Sequence, residues 1–267
     1  MRLRITHTTT YDYDAPVPYA LQQVRLTPKD GPTQEVLAWE TRVTGGRKEL
    51  SFDDAHGNRV DLISFESGTR RISLVIEGEV ESRDTAGVIG AEAGFMPLWM
   101  FLRATPLTRP GTGCRKMAAQ VPPGPPLERC HALMAAVHES LAYETGVSHV
   151  GWTAEDTLAA GHGVCQDLAH VFVTVARLLG LPARYVSGYL MMDDRVAQDA
   201  THAWAEAHLP ELGWVAFDPT HNICPDARYV RIATGLDYSE AAPVTGTRFG
   251  RADERLSVAV EVQQMQQ

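Results

Sequence analysis

Cysteine is scarce, with four residues in a chain of 267. That is too few for a disulfide scaffold and agrees with reduced thiols. Long apolar runs are missing. The longest, Gly94 to Leu102, is interrupted by Pro97 and falls far short of the ~20 residues that span a bilayer. The N-terminal stretch Met1-Arg2-Leu3-Arg4-Ile5-Thr6-His7 has no apolar signal core. No Asn-x-Ser/Thr sequon occurs, since Asn58 precedes Arg59-Val60 and Asn222 precedes Ile223-Cys224. Basic charge is not in excess either: 24 Lys and Arg face 33 Asp and Glu, a net charge of −9. This argues against nucleic acid or an anionic membrane as main partner. No internal repeat, EF-hand loop or phosphate loop is found; Gly111-Thr112-Gly113-Cys114-Arg115-Lys116 is too short for the last. These absences leave an ordinary globular protein, expected in the cytoplasm.

The chain divides by texture. Up to residue 83 it alternates apolar and polar positions and is rich in β-branched residues. Strands are expected from Leu3 to Tyr13, Val36 to Val43, Glu49 to Asp54, Arg59 to Phe65 and Arg71 to Val80. His56-Gly57-Asn58 marks a hairpin turn between the third and fourth. Five strands with short turns predict an N-terminal β-sandwich over 1–83. A connecting segment, 84–126, ends in Pro122-Pro123-Gly124-Pro125-Pro126, a rigid stop before a helix. In it, Phe95–Leu102 reads as core or an inter-domain contact.

A third zone, 127–267, opens with helices. Apolar positions between Leu127 and Tyr143 follow a helical period, and Thr153 with Asp156 forms a capping pair for a short helix. Cys165 to Gly180 carries one apolar stripe and is stopped by Gly180 and Pro182. Strands follow at Ala183–Met191, Thr201–Leu209 and Trp214–Asp218, and a last one at Arg255–Val262. Helices ahead of strands, not alternating with them, predict an α+β fold.

The chemistry concentrates in Gly161-His162-Gly163-Val164-Cys165-Gln166-Asp167. A cysteine opening a helix meets roughly half a positive charge and unsatisfied N–H donors. Both favour thiolate, the nucleophilic form, and the donors can hold an oxyanion. His202, in Thr201-His202-Ala203-Trp204, sits on a strand with Trp204, Glu206 and His208 on its face. Ala203, Ala205 and Ala207 face the other way, small enough for close helix packing. Asp218 ends the partner strand, and a hairpin centred near residue 210 brings it alongside His202. The expected site is Cys165 as nucleophile, His202 as base and acid, and Asp218 as orienting group. Two His-x-x-Cys pairs, His162/Cys165 and His221/Cys224, are a poorer match to a zinc site; no metal and no cofactor is expected. Cys114, Cys130 and Cys224 read as plain thiols, and His170 and His208 as supporting or surface residues.

These motifs, Gly-x-Gly-x-Cys before a helix, Thr-His-Ala-Trp, and Gly-Trp-x-x-x-Asp-Pro-Thr, resemble the transglutaminase-like core of the papain-like cysteine enzyme superfamily. The resemblance spans about 127–225. The strand-rich start and 226–262 look like bacterial members that carry their own N-terminal β-domain. It implies the same three residues in the same roles, the Cys helix packed on an antiparallel sheet, and peptide or protein substrates. The calcium sites of animal members do not carry over. Trp152 is the candidate for the tryptophan that assists the oxyanion there. The expected activity is hydrolysis of amide bonds through a thioester; acyl transfer from protein glutamine to an amine is the alternative, and a non-catalytic binding module the third reading.

Overall fold

The computed structural model describes residues 1–91, 95–198, 200–250 and 252–265; Gly94 of the apolar run lies outside them. In β1 (Arg2–Val17) burial alternates strictly, from Leu3 through Ile5 to Tyr13, as a strand with one covered face requires. It is followed by β2 (Tyr19–Thr27), β3 (Gln34–Thr44), β4 (Gly46–Asp53), β5 (Arg59–Phe65) and β6 (Thr69–Ser82). Five of these six are the expected strands, and β4 and β5 form the expected hairpin. β2 escapes notice because Gln22 interrupts its inward face of Ala20, Val24 and Leu26, and Arg25 on the other face is buried as well, which erases the alternation.

Beyond β7 (Val88–Gly90) and a 3₁₀ turn (Leu98–Leu102) come α1 (Thr112–Gln120), α2 (Pro126–Ser140), β8 (Ala142–Tyr143), α3 (Ala154–Ala160), β9 (His162–Gly163) and α4 (Cys165–Leu178). Then follow β10 (Ala183–Leu190), β11 (Ala197–Gln198), β12 (His202–Leu209), β13 (Gly213–Phe217), β14 (Tyr229–Gly235), α5 (Tyr238–Ala241), β15 (Val244–Phe249) and β16 (Glu254–Gln264). The fold is α+β. The core sheet runs β14-β10-β12-β13-β7, antiparallel throughout.

Three differences from expectation have physical causes. The last strand, expected within 127–267, pairs with β1 along eleven residue pairs, and β15 pairs with β2. The sandwich sheets are therefore β11-β16-β1-β6-β3 and β15-β2-β5-β4. Without β16, Leu3 and Ile5 would lose their apolar neighbours Val260 and Val262. The segment 84–126 is more than a connector: β7 closes an edge of the core sheet, and α1 packs on α4. α1 buries only Cys114 and Met117, so its stripe is faint. Its first N–H groups are satisfied from afar, Glu155 accepting from Gly111, Gly113 and Cys114 at 2.7, 3.0 and 2.8 Å. In the Phe95–Leu102 stretch only Phe101 is core; Phe95 and Trp99 are exposed.

α4 is the centre of the helical layer. Leu168, Val171, Phe172 and Val175 meet Ala205 and Ala207 of β12 and Phe217 of β13, the alanine face serving as the helix bed. Each such large side chain contributes about 1.5–3 kcal/mol on burial. On the opposite sheet face Trp204 joins Trp214 and Tyr229. There the wholly buried Glu206 is paired with Arg184 at 2.6 Å and Arg231 at 2.9 Å. A third cluster joins sandwich to core: Leu3, Ile5 and Val262 meet Tyr185, Tyr189 and Val230, with Cys165 at its margin.

Gly188 in β10 shows how tightly this sheet is packed. A Cβ there would lie 2.3 Å from the Val230 carbonyl oxygen and 2.4 Å from the Trp204 ring. Gly188→Ala is expected to cost about 1–3 kcal/mol through overpacking, read as a lowered denaturant midpoint with unchanged slope. An unchanged midpoint would contradict this packing.

Candidate active site

The chain returns to one level three times. α4 begins at Cys165; β10 runs back from the far end of that helix; and β12 opens with His202 beside Gly188, near the end of β10. Cys165 and His202 thus share one end of the two layers. The hairpin register is Ala205 with Phe217 and Glu206 with Ala216. Continued, it sets Asp218 opposite Trp204, not His202. The turn is therefore centred at 211 and not 210, and Asp218 reaches back one pleat along the same face.

That reach ends in contact. His202 Nε2 lies 2.7 Å from Asp218 Oδ2. Cys165 lies near enough to the same imidazole to help raise its pKa, and with Nε2 held by Asp218, Nδ1 is the nitrogen left to meet the sulfur. Asp218 is wholly buried, His202 nearly so, and Cys165 half-buried. Burial works against the imidazolium, but the Asp218 charge and hydrogen bond, with Cys165 beside it, hold the His202 pKa well above its ordinary value. Burial likewise works against the Asp218 carboxylate. The His202 charge and hydrogen bond, then those of His221, outweigh it and hold Asp218 well below the usual carboxylate range.

The loop before Cys165 has a distinct reason for each glycine. Gly161 closes α3 with φ of 77°, a left-handed cap. At Gly163 a Cβ would lie 2.8 Å from the Asp167 Cβ, so only glycine lets Asp167 fold back beneath the helix start. Asp167 Oδ2 accepts from the Val164 N–H at 2.9 Å and the Ser148 hydroxyl at 2.6 Å, tying the 144–152 loop to α4. The N–H groups of Asp167 and Leu168 return to the Val164 carbonyl. Cys165 and Gln166 are then the first-turn residues whose N–H groups have no acceptor within the helix.

Sequence reasoning missed two neighbours of Asp218. His221 Nδ1 lies 2.8 Å from Oδ2; its signal was the three-residue spacing in Asp218-Pro219-Thr220-His221. The Tyr229 hydroxyl donates to the same oxygen at 2.7 Å and had no local signal, because β14 reaches the site only by pairing with β10. Burial, then the Asp218 charge, pushes the Tyr229 pKa up, so the phenol stays a donor. His170, expected as supporting or exposed, is wholly buried and accepts from the Tyr238 N–H at 3.1 Å. Trp152 stacks on His162, their ring centres 6.0 Å apart.

Among the described residues the grouping with metal-ligand spacing is His202, Asp218 and His221. His202 Nε2 and His221 Nδ1 both lie within hydrogen-bond distance of Asp218 Oδ2, at 2.7 and 2.8 Å. The two His-x-x-Cys pairs are not brought together as a metal site among the described residues.

Comparison with known proteins agrees with this architecture. Residues 115–219 match the model of the transglutaminase-like superfamily, and 3–81 match the bacterial transglutaminase-like N-terminal region. The chain belongs to the transglutaminase-like superfamily, in its bacterial form. An uncharacterised protein of Mycobacterium leprae is 27% identical over 98% of both chains. A protein-glutamine gamma-glutamyltransferase of Pseudomonas aeruginosa is 35% identical over 127 residues, 41% of this chain and 18% of that one. A solved protein of Cytophaga hutchinsonii, provisionally assigned as a cysteine protease, superposes with a TM-score of 0.76. It is 21% identical, and the match covers 100% of this chain and 92% of that one. No helix among the described residues is long and apolar enough to cross a membrane.

The pair sets a pH window. His202 holds its proton above the ordinary 6.5, so its contribution to stability is complete below that pH and lost as pH rises through the raised value. Asp218 stays ionised below the ordinary 3.8, so its contribution is complete above that pH and lost as pH falls through the lowered value. The unfolding free energy lost in Asp218→Asn is expected to be largest at about pH 5–6 and to narrow by about pH 10. Denaturant titrations at both values measure it; a loss independent of pH would contradict the pairing.

Proposed function

We propose that this protein is a thiol enzyme that opens amide bonds of peptide or protein substrates and completes the cycle with water. One observation carries the reading: a buried imidazole–carboxylate pair, bonded at 2.7 Å, stands at the same end of the layers as the thiol that opens α4. Cys165 thiolate attacks the carbonyl carbon. The developing oxyanion accepts from the N–H groups of Cys165 and Gln166. His202 gives its Nδ1 proton to the departing nitrogen, the C–N bond breaks, an amine leaves and a thioester remains. Water then attacks the thioester while His202 takes its proton; the carboxylic acid leaves and the thiolate returns. Asp218 keeps Nε2 protonated and Nδ1 turned to sulfur throughout.

Acyl transfer is the second reading, favoured by the stretch shared with the Pseudomonas aeruginosa transferase. An amine in place of water gives a new amide by the same steps. The binding-module reading loses support, since all three side chains are present and gather at one end of the two layers, His202 bonded to Asp218 at 2.7 Å. Four free cysteines suit a reducing compartment, and we place the enzyme in the cytoplasm.

The thiols differ sharply in setting. Burial pushes Cys114 and Cys130 up to about 12 and raises Cys224. Iodoacetamide at pH 6 is therefore expected to modify Cys165 first, and Cys165→Ala to abolish that labelling and all turnover while the fold persists. Asp218→Asn is expected to lose roughly 10²–10⁴-fold in turnover. Peptide mapping after alkylation and a turnover assay check both; full activity in Cys165→Ala would overturn the reading. Incubation with a glutamine peptide and a labelled amine separates the two outcomes: incorporation signals transfer, and cleavage or ammonia release without incorporation signals hydrolysis.

A further inference from the structure

Asp218 Oδ2 carries an unusual load. It accepts from His202 Nε2 at 2.7 Å, His221 Nδ1 at 2.8 Å and the Tyr229 hydroxyl at 2.7 Å. Its partner oxygen Oδ1 accepts from the Thr220 N–H at 2.8 Å. His202 faces Cys165 from α4, Asp218 and His221 from the turn after β13, and Tyr229 from β14. The His221 ring stands edge-on to His202, centres 5.2 Å apart, with its side chain about one-third exposed. Tyr229 is buried and braced edge-on against Trp204 at 5.4 Å.

A carboxylate oxygen has a fixed charge to share. Each donor it accepts lowers the attraction left for the others. Two extra donors on the oxygen that holds His202 therefore weaken its grip on the imidazolium. That makes His202 a stronger acid, which suits a group that must protonate a departing amine. Thr220 and His202 together still fix the carboxylate when either extra donor is removed.

Resting on the thiol-enzyme reading, we infer that His221 and Tyr229 are positioning residues that share the charge of Asp218 and so keep His202 acidic enough to expel an amine. The role touches no substrate. It predicts one direction for two unrelated side chains on different elements.

The test has two arms. In a Cys165→Ala background, the His202 imidazole is titrated by NMR with and without His221→Ala or Tyr229→Phe. Each variant is expected to raise the His202 midpoint by about half a pH unit or more. With Cys165 intact, kcat/KM is compared for a peptide amide and a p-nitrophenyl ester of the same acyl group. The ester's leaving group needs no proton. Each variant is expected to lower the amide value about threefold and leave the ester value unchanged within twofold. A midpoint that stays or falls in either variant overturns the inference, and so does an equal loss on amide and ester, the mark of a merely structural role. Should the protein turn over neither substrate, the thiol-enzyme reading fails, while the NMR arm still decides whether the charge is shared.

Discussion

A carboxylate sealed from water must be answered by donors, and Asp218 is where this protein meets that demand. An unpaired charge in such a place costs several kcal/mol. Here five donors answer it: an imidazole from the start of β12, a second imidazole and two backbone N–H groups from the turn after β13, and a phenol from β14. Meeting those donors fixes where β12 must begin, how the chain leaves β13 and where β14 lies. The turn pays locally with Asn222 at φ of 54°, and closes through the Asp218–Ile223 bridge. The His202 imidazole, once held on Nε2, has only Nδ1 to offer the thiol.

The sandwich takes part in this arrangement. The segment between β10 and His202 adds β11 to the edge of β16, and the Val262 N–H donates to the Val196 carbonyl at 3.2 Å. Gln198 holds the Leu190 carbonyl at 2.7 Å. From the other side, His7 of β1 meets the Tyr189 hydroxyl at 2.7 Å. The residues that lead toward His202 are thus moored to strands from both ends of the chain.

What could be read from the sequence was local. Cys165 at a helix start, the glycines before it, the alanine face of β12 and the Thr153–Asp156 cap are written in neighbouring residues, and the structure contains each of them. Asp218 was found through a hairpin whose centre was misplaced by one residue, yet parity kept it on the correct face. What escaped was set by distant partners. β2 breaks its inward face with Gln22 and buries Arg25 on the other; α1 depends on a carboxylate from α3; β16 pairs with a strand more than two hundred residues earlier. Tyr229 belongs to this second class, since nothing near it in sequence foretells a bond to Asp218.

The central claim is that the sulfur of Cys165 becomes covalently joined to the acyl half of an amide. The most direct measurement is acid quenching of the protein with a peptide amide during turnover, followed by intact mass and peptide mapping. The account predicts one acyl group, lost on mild alkaline treatment as a thioester is, and mapped to Cys165. Turnover with no acyl adduct at any quench time, or an adduct on Cys224, would contradict it.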